Sequence, residues 1–192
     1  MNPGKLWQDL QEKCLRCTGC FLASTRTQVV FGSGCLDVRI MLVGEAPGFN
    51  EDKQGIPFCG KAGAVLDELL STVNLNRNQV YITNVVKCRP PGNRDPLPEE
   101  LAACKPYLER QMEMLQPEVI GCLGRFSLRT ILQHFQLPAS VSISQVHGKV
   151  FVPEGDLFHQ VKIVAFFHPA VATYQPAAWE TLRKDFSILK EL

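Results

Sequence analysis

The sequence predicts an α/β protein, a three-layer α/β/α sandwich around a central four-stranded, mostly parallel sheet. Short β-rich apolar runs alternate with stretches of helical periodicity along the chain. Strands separated by helices imply a parallel sheet covered on both faces, with right-handed crossovers. At 192 residues the chain is long enough for one sizeable core, so a single domain spanning residues 1–192 is expected.

Residues 38–43 form the first apolar run, read as a buried strand and followed by a Gly/Pro-containing loop over 44–60. Ala62, Val65, Leu66, Leu69, Leu70 and Val73 then recur at intervals of three and four, one apolar face of a helix. A second strand is expected over 80–86. After a long polar loop, Pro98 followed by two glutamates opens a helix, because proline suits the first turn and acids suit the dipole. Its core face is Leu101, Cys104, Leu108, Met112 and Leu115. Residues 119–123 give a third strand, 127–135 a helix, 149–152 an edge strand and 161–167 the fourth buried strand. A C-terminal helix places Trp179, Leu182, Phe186 and Leu189 on one side.

Composition narrows the function. The 45% hydrophobic content is that of an ordinary globular protein, and no apolar run approaches the roughly 18 residues of a membrane span. Residues 1–12 hold no stretch fit for a signal peptide, so the expectation is a cytoplasmic protein with no membrane partner. In that compartment eight cysteines stay reduced, available for metal or cluster ligation, catalysis or packing rather than disulfides. A net charge of +1 argues neither for nor against nucleic acid, which would have to meet a local patch.

The unusual residues fall at strand ends. Gly44-Glu45-Ala46-Pro47-Gly48 follows the first strand, Asn84 stands near the end of the second, and His168-Pro169-Ala170 follows the fourth. Ligands of open α/β sheets bind outside the carboxyl ends of the strands, so three loops are expected to line one crevice. His134, His147 and His159 lack that context and read as surface or core residues. Cys14 and Cys17 form a CxxC, while Cys88 and Cys104 bracket a basic Pro/Gly loop. CxxC also occurs in redox pairs and zinc knuckles, and spacing does not choose between zinc and iron-sulfur.

Together with Glu51-Asp52, Gly55 to Gly60, Ala62-Gly63, Leu66-Asp67 and the Tyr81–Arg94 run with its Asn-Val-Val-Lys-Cys-Arg-Pro-Pro core, these motifs resemble family 4 uracil-DNA glycosylases, the iron-sulfur bacterial and archaeal type. The resemblance runs in order from Cys14 to His168. It implies a uracil-DNA glycosylase-like fold and a monofunctional enzyme that hydrolyses the N-glycosidic bond of deoxyuridine, leaving an abasic site that starts base excision repair. Its partner would be uracil-containing DNA, single- or double-stranded, and the protein a monomer. The alternatives are a glycosylase with another preferred lesion, or a non-catalytic iron-sulfur module that binds DNA.

The resemblance also assigns roles. The base must leave the stack for a pocket, and Phe58 would stack on it. Asn84 would read it: an amide can donate to uracil O4 and accept from N3–H, a pattern cytosine reverses, and such sites discriminate by about 10⁴. His168 would donate to O2 as charge develops on the leaving base. Glu45 would stabilise the oxocarbenium-like sugar or position the attacking water. Gly44, Ala46 and Gly48 would let backbone approach the uracil, and Glu51 would lie near C5 and help exclude thymine. A [4Fe-4S] cluster would be held by Cys14, Cys17, Cys88 and Cys104 in an N-terminal segment and the 88–104 loop. Cys20, which extends the run as Cys14-x2-Cys17-x2-Cys20, is left out because Ser24 stands where a fourth cysteine would. The cluster would brace Lys87, Arg89 and Arg94 against phosphates. The chain departs from the family after His168, where Tyr174 stands in place of a usual arginine, and at His147-Gly148, where an arginine often precedes the glycine.

Overall fold

The computed structural model describes residues 3–154 and 161–192, which leaves His159 outside the described residues. The described elements in chain order are α1 Pro3–Leu15, α2 Leu22–Thr25, β1 Ser33–Gly34, β2 Ile40–Gly44, α3 Phe49–Gln54, α4 Lys61–Thr72, β3 Tyr81–Asn84, α5 Pro98–Leu115, β4 Val119–Leu123, α6 Arg125–His134, α7 Ile143–Val146, β5 Val150–Phe151, β6 Lys162–Phe166, α8 Val171–Tyr174 and α9 Ala178–Phe186. The four expected buried strands form the parallel centre of the sheet, in the order β3-β2-β4-β6. Two-residue antiparallel strands, β1 beside β3 and β5 beside β6, complete a six-stranded mixed sheet.

Strand alternation divides the apolar side chains between two layers. Met41, Val43, Ile120, Cys122, Ile163 and Ala165 belong to one core, which they share with α1, α5 and α6. Leu42, Ile82, Val119, Leu123, Val164 and Phe166 belong to the other, with α4 and α9. Gly121 sits mid-strand because its neighbours need the room: a Cβ there would stand 2.6 Å from Leu42 Cδ2 and 3.0 Å from the Phe166 ring.

Sequence periodicity gave no warning of α1. The helix is held by two buried side chains, Trp7 and Cys14. The Trp7 indole meets Phe31 and Tyr81 edge to face, with centroids 5.4 and 5.3 Å apart, contacts worth about 0.5–1.5 kcal/mol each beyond burial. Among the described residues, no helix is long and apolar enough to cross a membrane.

The strand order reverses between β2 and β4, since β3 lies on one side of β2 and β4 on the other. In such sheets this is where a crevice opens at the carboxyl ends. Register then sets the partners: Gly44 pairs with Asn84, the last residues of β2 and β3.

Candidate active site

Beyond these strand ends the pairing continues, with Val85 N–H donating to Gly44 O at 2.9 Å and Val86 N–H to Glu45 O at 3.1 Å. This holds the two loops side by side as they leave the sheet. They open onto a cleft of about 430 Å³ that brings together Glu45, Ala46, Gly48, Glu51, Phe58, Asn84 and His168. Gly44, just before Glu45, packs beside two of these side chains. A Cβ at that position would lie 2.4 Å from Asn84 Oδ1 and 2.7 Å from the Phe58 ring, so only glycine lets the two side chains meet.

Asn84 is 1% exposed, and its Oδ1 has no hydrogen-bond partner, the one such buried side-chain atom found among the described residues. A buried acceptor without a donor costs about 1–3 kcal/mol. An incoming N–H would remove that cost.

Phe58 is buried with φ at +51°, a conformation a bulky residue seldom adopts. Arg77 holds it there. Its guanidinium donates to Pro57 O at 3.0 Å and to Phe58 O, while its Nε is 2.6 Å from Asp67 Oδ1 on α4. Gly63 allows the approach, because a Cβ there would stand 1.7 Å from Phe58 O. Sequence reading did not find Arg77, since nothing in its local context marks an arginine that acts on a loop nineteen residues earlier.

His168 stacks against Phe58, with centroids 5.6 Å apart and planes 26° from parallel. Its Nδ1 accepts from Ala170 N–H at 3.2 Å, which places the ring proton on Nε2. Burial pulls the imidazole down to about 4, with Glu51 opposing the shift. At neutral pH His168 is therefore an uncharged donor. Gly124, at φ +100°, makes space beside it; a Cβ there would lie 3.3 Å from that of His168.

Glu51 accepts from Gly60 N–H at 2.8 Å, clasping the far side of the loop that carries Phe58. Burial raises the Glu45 carboxyl above its ordinary value; Asp95 adds to the shift and Arg125 opposes it. Tyr174, 71% exposed, stands on the rim of the cleft.

The three cations predicted to touch phosphate fare differently. Lys87 is 1% exposed, and its ammonium donates to Thr83 Oγ1, Asn84 O and Gln111 Oε1 at 2.6, 2.7 and 2.6 Å. It is thus withdrawn from any phosphate, because its side chain runs into the protein toward three acceptors rather than out of the loop. Arg94 reaches the cleft, but its guanidinium is paired with both oxygens of the buried Glu100 at 2.8 and 2.6 Å, leaving little charge to offer. Arg89 donates to Asn93 Oδ1 at 2.7 Å and lies over the half-exposed ring of Phe49 at 5.1 Å, the ring that Lys53 Nζ also approaches at 4.5 Å.

A second recess, on the other side of the 84–88 segment, is lined by five thiols: Cys14, Cys17, Cys88 and Cys104, as expected, and also Cys20. All are free. Three sulfurs receive N–H donors: Cys17 from Gly19 N at 3.4 Å, Cys88 from Arg26 Nη1 at 3.3 Å and Cys104 from Lys87 N at 3.2 Å. Burial pushes the Cys14 thiol up to about 12 and the Cys104 thiol up to about 11, and neighbouring thiols add to both shifts against the opposing pull of Lys87. A metal centre that takes the proton's place relieves this crowding, since a coordinating thiol ionises outright. Among the described residues, no three metal-ligating side chains are arranged around a single ion.

Comparison with known proteins agrees with this geometry. Residues 31–188 match the model of the uracil DNA glycosylase superfamily. The chain belongs to that superfamily. Within it the chain is similar to proteins named type-4 uracil-DNA glycosylase: that of Archaeoglobus fulgidus at 46% identity over 96% of this chain and 92% of the relative, and that of Sulfurisphaera tokodaii at 43% over 96% and 84%. The Thermotoga maritima protein of the same name is 46% identical over 86% of this chain and 82% of its own. For a member of the uracil-DNA glycosylase superfamily, a cleft lined by an aromatic ring and a partnerless acceptor sits at the expected end of the sheet.

Proposed function

We propose that this chain is a monofunctional uracil-DNA glycosylase that releases uracil from DNA and leaves an abasic site, the opening step of base excision repair. The observation that carries the reading is Asn84 Oδ1, a buried acceptor without a donor, in the cleft that Phe58 and His168 also line. The imide N3–H of uracil supplies the missing donor. Cytosine presents an acceptor at that position and leaves Oδ1 unpaired, which is the more discriminating arrangement.

In the reaction the bond between the sugar C1′ and the base N1 breaks, and its electron pair passes to the uracil ring. His168, already neutral with its proton on Nε2, meets the charge arriving at O2 without itself changing protonation; one such donor is worth about 10²–10³ in rate. Glu45 faces the sugar as a carboxylate, opposing the positive charge on C1′ and accepting a proton from the attacking water. Phosphate contacts fall to the exposed surface around Phe49, Lys53 and Arg89.

The recess of thiols supports a [4Fe-4S] cluster. Cys17, Cys88 and Cys104 carry the N–H donors that suit thiolates, while Cys14 and Cys20 compete for the fourth place. When bound, such a cluster supplies a fixed multivalent cross-link among thiolates.

An oligonucleotide carrying one deoxyuridine tests the function directly. After incubation and alkali treatment the strand breaks at that site, whereas the same strand with cytosine or thymine survives. Absence of release from both single- and double-stranded uracil substrates overturns the reading, and preferential release of hypoxanthine or mismatched thymine reassigns the lesion.

A further inference from the structure

We propose that Lys87 is a positioning residue, which aims the base-reading Asn84 from a buried socket shared with the thiol recess. The inference rests on the reading of Asn84 given above.

A lysine ammonium has three N–H donors, and here each finds an acceptor: Thr83 Oγ1, the Asn84 carbonyl and Gln111 Oε1. None of its charge is left for solvent, and the side chain is 1% exposed. The acceptors are anchored in turn. Thr83 Oγ1 donates to Phe31 O at 2.8 Å, and Gln111 Nε2 donates to Phe31 O at 2.9 Å while lying 3.1 Å from the Tyr81 hydroxyl. The ammonium thus ties the last peptide of β3 to α5 and to the 29–31 segment.

The same residue faces the sulfurs with its backbone. Its N–H donates to Cys104 Sγ at 3.2 Å, its carbonyl accepts from Val30 N–H at 2.8 Å, and Cys88 follows it in the chain. Asn84 is the last residue of β3, and the Lys87 ammonium is the donor on its carbonyl. The absence of Lys87 would leave the Asn84–Val85 peptide with the Val85 N–H bond to Gly44 O and no ammonium on its carbonyl, and an error of about 1 Å in a reacting group costs on the order of 10²-fold in rate. A charge at this spot is also the counterpart of an anionic thiolate cluster next door, so a neutral side chain of equal length is the informative replacement.

The test is a double-mutant cycle on the iron-loaded protein, with Lys87→Met, Asn84→Ala and both together. Single-turnover release from a single-stranded uracil oligonucleotide is measured alongside oligonucleotide affinity and iron per chain. Lys87→Met is expected to keep the wild-type iron content and affinity while its rate falls about 10- to 10²-fold. In the Asn84→Ala background the same replacement should cost less than about twofold, since a residue that acts only through Asn84 has nothing left to aim. Equal cost in both backgrounds, or a wild-type rate for Lys87→Met, overturns the proposal. Should Lys87→Met fail to accumulate folded, Thr83→Val removes one acceptor and is expected to give a few-fold loss that Asn84→Ala absorbs; an additive loss, or none, overturns it equally. A wild-type protein that releases no uracil would instead sink the glycosylase reading.

Discussion

Asn84, Phe58 and His168 share one cleft, and each is fixed by a named contact: Lys87 on the Asn84 carbonyl, Arg77 on the Phe58 carbonyl and Ala170 N–H on His168 Nδ1. Only Glu45 is left to respond to its surroundings, and its charge makes the activity depend on pH. In the proposed reaction Glu45 acts as an anion, and its carboxyl is raised by burial and then by Asp95, with Arg125 in opposition. Activity is therefore complete above that raised value and lost as pH falls through it, so the acid limb should lie above glutamate's ordinary value. Asp95 and Arg125 are themselves an exposed pair, 2.6 Å apart. Replacing Asp95 with Asn leaves Arg125 acting alone, and the acid limb of kcat should move to lower pH, more so at low ionic strength. Glu45→Gln should flatten the limb and lower the rate by about 10²-fold or more. A limb that stays in place in both variants would assign it to another group.

The elements contribute by where they stop. β2 and β3 end at the same level, and α3 and α4 begin after glycines, at Gly48 and Gly60, whose peptides border Glu51. Between these two helices the chain must turn back on itself, and Phe58 absorbs the turn with a positive φ, a strain of about 1–3 kcal/mol that the surroundings must offset. Arg77 and Gly63 do so. Gly63→Ala would put a methyl group 1.7 Å from Phe58 O, a backbone clash that no rotamer relieves. The expected result is a displaced Phe58, a fall of about 10- to 10²-fold in single-turnover uracil release, and affinity for undamaged DNA unchanged, because the residues proposed to meet phosphate, Lys53 and Arg89, are outside this loop. Measuring both quantities on one preparation decides it: a parallel loss of DNA affinity would mean the clash spreads beyond this loop.

At the scale of the molecule, the thiol recess ties α1, the 17–26 loop, the 87–88 segment and α5 to one another, and removing a cluster ligand should loosen all four. Among alanine variants of the five cysteines, Cys17, Cys88 and Cys104 should each lose iron and melt at lower temperature. Of Cys14 and Cys20, one should lose iron and the other keep about four irons per chain, read by iron content and visible absorption; retention of iron in all five variants would refute the cluster. Much of this architecture was legible beforehand. Four strands, the helices between them and the three loops at one end followed from periodicity and from glycine, proline and histidine at strand ends, because burial on both faces of a sheet leaves a local imprint on the sequence. The long-range supports left no such imprint: Arg77 under Phe58 and Trp7 holding α1, whereas Cys20 shows in the cysteine run, where Ser24 in place of a fourth cysteine argues against it. Lys87 shows the limit most clearly, since in a basic loop it reads as a phosphate contact and in the fold it points inward. The sequence by itself determined the layers, the family and the side chains of the cleft, since these rest on residue type and spacing along the chain. The tertiary structure alone decided which cations lie near the surface and which is buried, and which carbonyls Lys87 and Arg77 hold, because burial and hydrogen-bond geometry depend on segments that meet only after folding.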